Sequence, residues 1–217
     1  MPYKQNINFN FLTLKNKKDK FKKINKNVFS NSIKNAKENI KEKKNVFYSF
    51  SKDFKLNLNL GELKKFKKFK RIIIIGFGGS ILGAQAIHYF LKKKIKKELI
   101  FVNNLDLNQL DTLNKYKNLN NSLFIIISKS GNTIEVLSII NSIKKKAKFN
   151  NNNSLIITEN KKSYLSSFAK EYNIRTIFHR SYIGGRYSVF SETALIPCYL
   201  MGINISKFKR NILNFLN

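Results

Sequence analysis

The chain has 217 residues, 42% of them hydrophobic, and a formal net charge of +30, which is enough material for one sizeable globular domain. Its one cysteine, Cys198, excludes an internal disulfide framework, its two histidines exclude a His/Cys metal cluster, and we expect no cofactor. Because the first residues lack a signal-peptide core and no apolar run could cross a bilayer, we expect a cytoplasmic protein with no membrane partner.

Residues 1–52 are rich in lysine and asparagine and show little periodicity. One helix is predicted around SNSIKNAKENIKEKK (30–44). We interpret residues 1–52 as a helical or irregular lead-in, packed on the next domain or partly disordered, and place the main domain at 53–217.

The charge is densest in KKFKKFKR (64–71) and KKKIKK (92–97), which are the candidates for a nucleic-acid contact. The excess is almost all lysine, however, and arginine, which forks onto phosphates and base edges, is scarce. Lysine, asparagine, isoleucine and phenylalanine also share A/T-rich codons. We therefore interpret these segments as solvated surface and expect no nucleic-acid partner, although the positive field would favour small anionic substrates.

From residue 71, short apolar runs alternate with stretches of helical period. Runs of β-branched residues without alternation indicate strands buried on both faces of a parallel sheet. The predicted strands are 71–76, 98–104, 122–130, 154–158 and 174–178, and the predicted helices are 80–97, 108–118, 132–149 and 161–172. This order predicts a doubly wound, three-layer αβα parallel sheet of the flavodoxin-like α/β class.

After Arg186 the sequence predicts one apolar helix interrupted by Pro197, a break at Gly202 and a short amphipathic helix. Ligands of an open parallel sheet bind beyond the carboxyl ends of its strands. Three loops follow predicted strands there, and a site requires them to converge: GFGGS (76–80), SKSGNT (128–133) and GGRYS (184–188).

The first loop fits neither common nucleotide motif. In a dinucleotide fingerprint the third glycine would fall at Ile81, and in a P-loop Ala84 and Gln85 occupy the positions of Lys and Ser/Thr. What is left is a glycine turn that offers backbone N–H groups and the hydroxyl of Ser80. A tight strand-to-helix turn without a ligand is the alternative interpretation.

The second loop carries three hydroxyls, on Ser128, Ser130 and Thr133, beside Gly131 and just before a predicted helix. Unpaired N–H groups and the helix dipole make a helix N-terminus an anion site. An ordinary N-cap would need one hydroxyl only, so three favour a bound phosphate. In the third loop, Arg186 could stabilise a sugar oxyanion or form a surface ion pair. Glu135 lies in the predicted helix after the second loop and could simply stabilise the dipole of that helix.

The segments GFGGSILGA, SKSGNTIE and GGRYSVFSETALIP, in this order, resemble the N-terminal half of the phosphoglucose isomerase family and, more broadly, the sugar-isomerase (SIS) domain. The resemblance covers roughly residues 60–210. Phe77 and Ile81 depart from the family's pattern, while the glycines and Ser80 fit it.

The resemblance implies aldose–ketose isomerisation of glucose 6-phosphate and fructose 6-phosphate through a cis-enediol(ate), in glycolysis and gluconeogenesis, without a metal, by a homodimer. It implies that Arg186 stabilises the enediolate and that Glu135 orients a ring-opening histidine. The implied substrate-binding residues are Gly78, Gly79, Ser80, Ser128, Lys129, Ser130, Gly131, Asn132, Thr133 and Gly185.

The family's base glutamate, histidine and late lysine lie C-terminal to the GGRYS motif, where this sequence has one carboxylate, Glu192, and no histidine. None of the three can be assigned. We therefore expect a front part of a longer isomerase, lacking its second SIS domain, that binds phosphosugars weakly without turnover. The alternative is a stand-alone SIS module that senses a phosphosugar and regulates a partner.

Overall fold

The fold is built around a five-stranded parallel sheet. A computed structural model describes residues 15–116 and 118–216. The strand order is β2-β1-β3-β4-β5, and every neighbouring pair is parallel. This confirms the predicted doubly wound α/β class. The strands are β1 (Arg71–Gly76), β2 (Glu98–Val102), β3 (Ser122–Ile127), β4 (Ser154–Thr158) and β5 (Arg175–Phe178).

The central strands are buried along their whole length. All residues of β3 and β4 are buried, and so are those of β1 after Arg71. Helices cover both faces of the sheet, so no face is left for polar side chains, and this explains why the apolar runs do not alternate.

In the part of the chain that the structure describes, seven α-helices accompany the strands. They are α1 (Lys15–Asn39), α2 (Gly79–Phe90), α3 (Leu107–Asn114), α4 (Ile134–Ile143), α5 (Tyr164–Glu171), α6 (Glu192–Leu200) and α7 (Ile205–Leu216). Short 3₁₀ helices are Val46–Phe50, Leu60–Lys68, Lys92–Lys94 and Gly185–Phe190. Within the described residues, no helix is both long and apolar enough to cross a membrane.

The predicted elements exist, but their bounds differ. The helix predicted over 80–97 ends at Phe90, and the strand predicted over 122–130 ends at Ile127, where the serine-rich turn begins. The helix predicted over 30–44 begins earlier and ends at Asn39. Residues 1–14 of the predicted lead-in lie outside the described residues, and the division of the chain at 52/53 stays a prediction.

The helices form two layers with separate cores. On one face, α2 and α6 pack with the 3₁₀ helix Leu60–Lys68 and with Ile205 at the start of α7. On the other face, α3, α4 and α5 pack against β1, β3 and β4. The connecting helices therefore change from one face to the other between α2 and α3, where the winding direction reverses, as in doubly wound sheets.

The phenylalanines of the lysine-rich segment 64–71 belong to the core. Phe66 is fully buried and Phe69 packs against the same cluster. The neighbouring Lys65 donates to the backbone of Asn151, at 3.0 Å. The interleaving of phenylalanine and lysine is thus the pattern of an element with one face in the core.

The elements after Arg186 follow the prediction except at Pro197, which does not interrupt the apolar helix. Nearly every side chain of α6 is buried, and Pro197 lies inside the helix. Helix α6 ends shortly before Gly202, whose φ is +98°, and the chain continues into α7. A helix without a polar face is an interior element, and α6 is one because α2, the 3₁₀ helix Leu60–Lys68 and α7 surround it.

A buried ion pair fastens the segment before β1 to the rest of the fold. Arg180 Nη1 lies 2.5 Å from Glu192 Oε1, and the backbone N–H of Asn57 donates to the same oxygen at 3.1 Å. Arg180 Nη2 also donates to Lys55 O at 2.6 Å, and its guanidinium lies over the Phe54 ring. Residues 54–57 therefore form a strap across the start of α6.

Breaking this ion pair will destabilise the fold. Changing Glu192 to Gln keeps the shape but leaves the Arg180 guanidinium without its counter-charge, and removing one partner of a buried pair costs about 3 kcal/mol. We expect the free energy of unfolding, measured by urea denaturation, to fall by that amount.

Glu62→Gln is the matched control, since it neutralises the partner of Arg175 in an ion pair that is far more exposed. It should cost less than about 1 kcal/mol. If the free energy of unfolding fell equally in the two variants, the conclusion that the Arg180–Glu192 pair holds the strap in place would be wrong.

Candidate functional site

The predicted loops lie at the carboxyl edge of the sheet, where the strand order reverses. β1 pairs with β3 through Gly76 and Ile127, and β2 lies on the other side of β1. From there the chain enters α2 on one face of the sheet and α4 on the other. This is the topological switch point, at which open α/β sheets bind their ligands.

The two helices at this point begin without a capping side chain. Gly78 and Thr133, the N-cap residues of α2 and α4, make no side-chain cap hydrogen bond. By contrast, Asp106 caps α3 and Ser163 caps α5. The positive dipole ends of α2 and α4 can therefore serve a ligand, as can the first-turn N–H groups of α4, whereas in α2 the N–H groups of Ser80 and Ile81 already donate to Phe77 O and Gly78 O.

The three hydroxyls of the second loop lie together. Thr133 Oγ1 is 2.8 Å from Ser128 Oγ and 3.4 Å from Ser130 Oγ. The N–H groups of Gly131 and Asn132 donate to Ser128 Oγ and Ser130 Oγ, at 3.0 Å and 3.2 Å. Since hydroxyl hydrogens rotate freely, the same groups can turn to donate to an anion.

This loop is backed by the connection between β4 and α5. Gly131 has a φ of +70°, and a Cβ there would lie 2.7 Å from Ser163 Cβ and 3.0 Å from Thr158 Oγ1. The N–H of Tyr164 donates to Asn132 Oδ1 at 3.0 Å. Sequence reasoning missed Thr158 and Ser163, because the capping box at Ser163 has Ser166 where its usual sequence signature has Glu or Gln.

The ammonium group of Lys129 connects the second loop to the segments that follow β4 and β5. Its Nζ donates to Ser181 O at 2.8 Å and lies 3.4 Å from Glu159 Oε1. Glu159 also pairs with Lys161 at 2.7 Å. Burial alone would raise the pKa of Glu159, but the two lysines outweigh it and lower that pKa. The structure thus places the predicted binding residue Lys129 with its side chain toward the loops after β4 and β5.

The third loop reaches the first by crossing back along the sheet edge. β5 is an edge strand, separated from β1 by β3 and β4. Nevertheless, a Cβ added to Gly79 would lie 2.5 Å from Arg186 N and 2.6 Å from Gly185 O. Ser188 Oγ also lies 3.3 Å from Gly79 O. The predicted Gly79 and Gly185 are therefore in direct backbone contact, and only glycine at 79 permits it.

Arg186 is exposed and forms no ion pair with a described residue. The other arginines of the sheet region, Arg71, Arg175 and Arg180, are each paired with a glutamate. Glu135 is exposed in the first turn of α4. The predicted charged residues thus lie at the rim, beside the glycine turn and the hydroxyl loop respectively.

A buried histidine, His179, lies on the interior side of the third loop. His179 Nε2 lies 3.1 Å from Ser191 Oγ, while its Nδ1 is buried with no partner among the described residues. Burial, and next the positive charge of Lys129, lower the pKa of His179 to about 4. No periodicity or motif in the sequence indicated this residue.

A groove of about 970 Å³ lies at the opposite edge of the sheet. Its asparagines hold the local loops in shape: Asn120 accepts from the N–H of Lys148, and Asn153 accepts from that of Asn150. It contains no uncapped helix N-terminus among the described residues, so the carboxyl edge is the candidate site. The lining residues include Lys68, Lys70, Lys148, Asn118, Asn121 and Asn152.

Comparison with known proteins gives a family match and curated relatives. The phosphoglucose isomerase family matches residues 14–210. The chain is 34% identical over 187 residues to the glucose-6-phosphate isomerase of Methanocaldococcus jannaschii, covering 85% of this chain and 45% of that protein. It is 32% identical over 212 residues to that of Acholeplasma laidlawii, covering 88% and 50%. The chain spans about half the length of these relatives.

Solved structures share the fold. A hypothetical protein from Thermus thermophilus superposes with a TM-score of 0.65 at 18% identity, over 84% of this chain and 46% of that one. A glucose-6-phosphate isomerase from Chlamydia trachomatis gives 0.56 at 23% identity, over 74% and 31%. Because the family match takes in all three loops of the candidate site, and nearly the whole sequence with them, the chain belongs to the phosphoglucose isomerase family.

Proposed function

We propose that this chain forms the phosphosugar-binding part of a glucose-6-phosphate isomerase, which interconverts glucose 6-phosphate and fructose 6-phosphate in glycolysis and gluconeogenesis. One observation carries the proposal. The two uncapped helix N-termini meet at the switch point, beside three clustered hydroxyls, in a chain of this family.

The phosphate would bind at the start of α4. Ser128, Ser130 and Thr133 would donate hydroxyl hydrogens, and the free N–H groups of the first turn would complete the site. A phosphate dianion gains both from these donors and from the dipole, and needs no metal there. The packing of Gly131 against Ser163 keeps the donors in place before the ligand arrives.

The sugar would lie between the start of α2 and the third loop. Gly79 and Ser80 are the first residues of α2, and Gly185 packs directly on Gly79. This contact places the backbone of Arg186 against the same helix N-terminus. The open sugar would therefore meet the backbone of Gly79 and the Ser80 hydroxyl on one side and the arginine loop on the other.

The reaction transfers a proton between C2 and C1. A base removes the C2 proton of the open aldose, the C–H electron pair forms a C1=C2 double bond, and O1 becomes an enediolate oxygen. The base then returns this proton to C1 and the O2 proton moves to O1, so that C2=O2 forms and the ketose results. Arg186, free of an ion pair with any described residue, would stabilise the enediolate charge.

The base is not assigned to a carboxylate near the loops. Glu192 is buried against Arg180, and Glu159 pairs with Lys129 and Lys161. For Glu135 we keep the proposed role of orienting a histidine.

A phosphosugar-binding regulatory module is the second candidate function, and it uses the same site. It is favoured because Glu192 and Glu159 are held in ion pairs. A homodimer is part of the first proposal.

Removing two hydroxyls of the second loop will abolish phosphosugar binding. In the double variant Ser128→Ala/Thr133→Ala, two hydrogen bonds to a charged group are lost, so we expect the Kd for fructose 6-phosphate to rise at least about 100-fold. Isothermal titration calorimetry on the 217-residue chain measures the change.

The matched control is Ser138→Ala/Ser142→Ala, which removes two exposed hydroxyls from later turns of α4. It should bind like the parent chain. If both double variants bind equally well, the phosphate assignment is wrong.

Charge recognition will depend on Arg186. Arabinonate 5-phosphate carries a carboxylate where the enediolate charge would develop, whereas arabinitol 5-phosphate has a neutral alcohol there. The chain should prefer the acid, and Arg186→Gln should reduce that preference about tenfold because a charge-assisted contact is lost. The readout is the ratio of the two Kd values, and Arg210→Gln, on α7, is the control.

The 217-residue chain alone will not isomerise sugars. A coupled assay that oxidises glucose 6-phosphate should show no turnover of fructose 6-phosphate above that of the Ser128→Ala/Thr133→Ala variant. Substantial turnover by the purified chain would show that one of the described carboxylates acts as the base after all.

A further inference from the structure

Four buried polar side chains lie beneath the turn that carries Arg186. Ser188, Ser191, Thr193 and His179 are all at most 3% exposed. Buried hydroxyls and imidazoles cost free energy unless they are hydrogen-bonded, and apolar residues of the same size would pack without that cost. Their concentration under one turn therefore requires a reason other than filling space.

The first of them, Ser188, ties the turn to the glycine loop. Its Oγ donates to Gly185 O at 2.6 Å and also lies 3.3 Å from Gly79 O. Both carbonyls belong to the backbone contact between the first and third loops. One hydroxyl thus fixes the two glycines on which the position of Arg186 depends.

Thr193 and Ser191, at the start of α6, hold Ser188 in turn. Thr193 Oγ1 lies 2.8 Å from Ser188 Oγ and 3.0 Å from Ser188 O. Ser191 Oγ donates to Ser188 O at 2.7 Å. Because Ser188 has given its own hydrogen to Gly185 O, it accepts from Thr193, and the direction of each bond in the chain follows.

The same reasoning fixes the tautomer of His179. The hydroxyl hydrogen of Ser191 is used on Ser188 O, so His179 Nε2 must be the donor in the 3.1 Å contact with Ser191 Oγ. Its Nδ1 then carries no hydrogen, and it is buried without a hydrogen-bond partner among the described residues. Two donor chains therefore meet at Ser188: one runs from His179 through Ser191 Oγ to Ser188 O, and the other runs from Thr193 through Ser188 Oγ to Gly185 O.

The exposed side of the turn offers no comparable support. Arg186 and Tyr187 are both exposed, and Tyr187 is 59% accessible. The conformation of the turn is therefore set from below, by directional bonds that a purely apolar contact would not supply.

We infer that His179, Ser191, Thr193 and Ser188 form a positioning network that holds Arg186 in register with the sugar-binding turn at Gly79. The inference rests on the proposed function, in which Arg186 meets the reacting end of the sugar. None of the four is a catalytic residue, since each acts through the backbone of the turn.

The test compares Thr193→Val, which keeps the shape and removes the donor, with Thr193→Ser, which keeps the donor. In the Val variant the preference for arabinonate 5-phosphate over arabinitol 5-phosphate should fall at least about fivefold, because a displaced group loses its contribution steeply. The Ser variant should restore it. Affinity for inorganic phosphate should stay unchanged in both, since the hydroxyl loop is untouched.

Thr176→Val is the matched control, because Thr176 is a half-buried residue of β5 and not a member of the network. It reports what the same chemical change does elsewhere in the domain. If Thr193→Val lowers thermal stability but leaves the preference as it is in Thr176→Val, the network is merely structural and the inference is overturned.

A ligand-free measurement separates this inference from the proposed function. Backbone ¹⁵N order parameters at Gly185, Arg186 and Tyr187 should fall in Thr193→Val and recover in Thr193→Ser. Should the parent chain show no preference between the two analogues, the role proposed for Arg186 fails. Lower order at Arg186 in the Val variant would then still support the positioning network, whereas unchanged order would overturn it.

Discussion

The parallel pairing of β1 with β3 is the constraint on which the site depends. It sets the glycine turn and the hydroxyl loop side by side, because Gly76 and Ile127 are partners in register. It also sends the two following helices to opposite faces, so their open N-termini approach from both sides of one crevice. Every other contact of the site refines this arrangement.

The third loop adds what the pairing cannot supply. β5 is at the far edge of the sheet, yet the chain returns until Gly185 touches Gly79. Lys129 is bonded to this returning segment through Ser181 O. The Lys129 side chain thereby links the second loop to the third, and Glu159 balances its charge.

The sheet could be predicted because its determinants are local. Runs such as Ile72–Ile75 read as buried strands on composition alone, and the three loops follow from them. Helix ends could not be predicted as well, since α2 stops at Phe90 although the lysines after it are good helix formers. The roles of Arg186 and Glu135 came from the family resemblance, and the geometry places both at the rim without testing either role.

What sequence reasoning missed consists of contacts between distant segments. His179 carries no motif, and its bond to Ser191 exists only because α6 packs beneath the arginine turn. The strap is similar, since Asn57 and Glu192 are far apart in the chain and the Asn57 N–H reaches the Glu192 carboxylate only in the folded state. Periodicity describes one element at a time and holds no information on such partners.

The burial of α6 bears on how members of this family are detected. The stretch SETALIP belongs to an interior helix, so a descendant that had abandoned sugar chemistry would still need its volume and shape to fold. The residues just before it, around Gly185 and Arg186, form the exposed turn of the proposed site. Similarity in the longer stretch therefore reports common ancestry, and the short glycine–arginine turn is where loss of chemistry would first become visible.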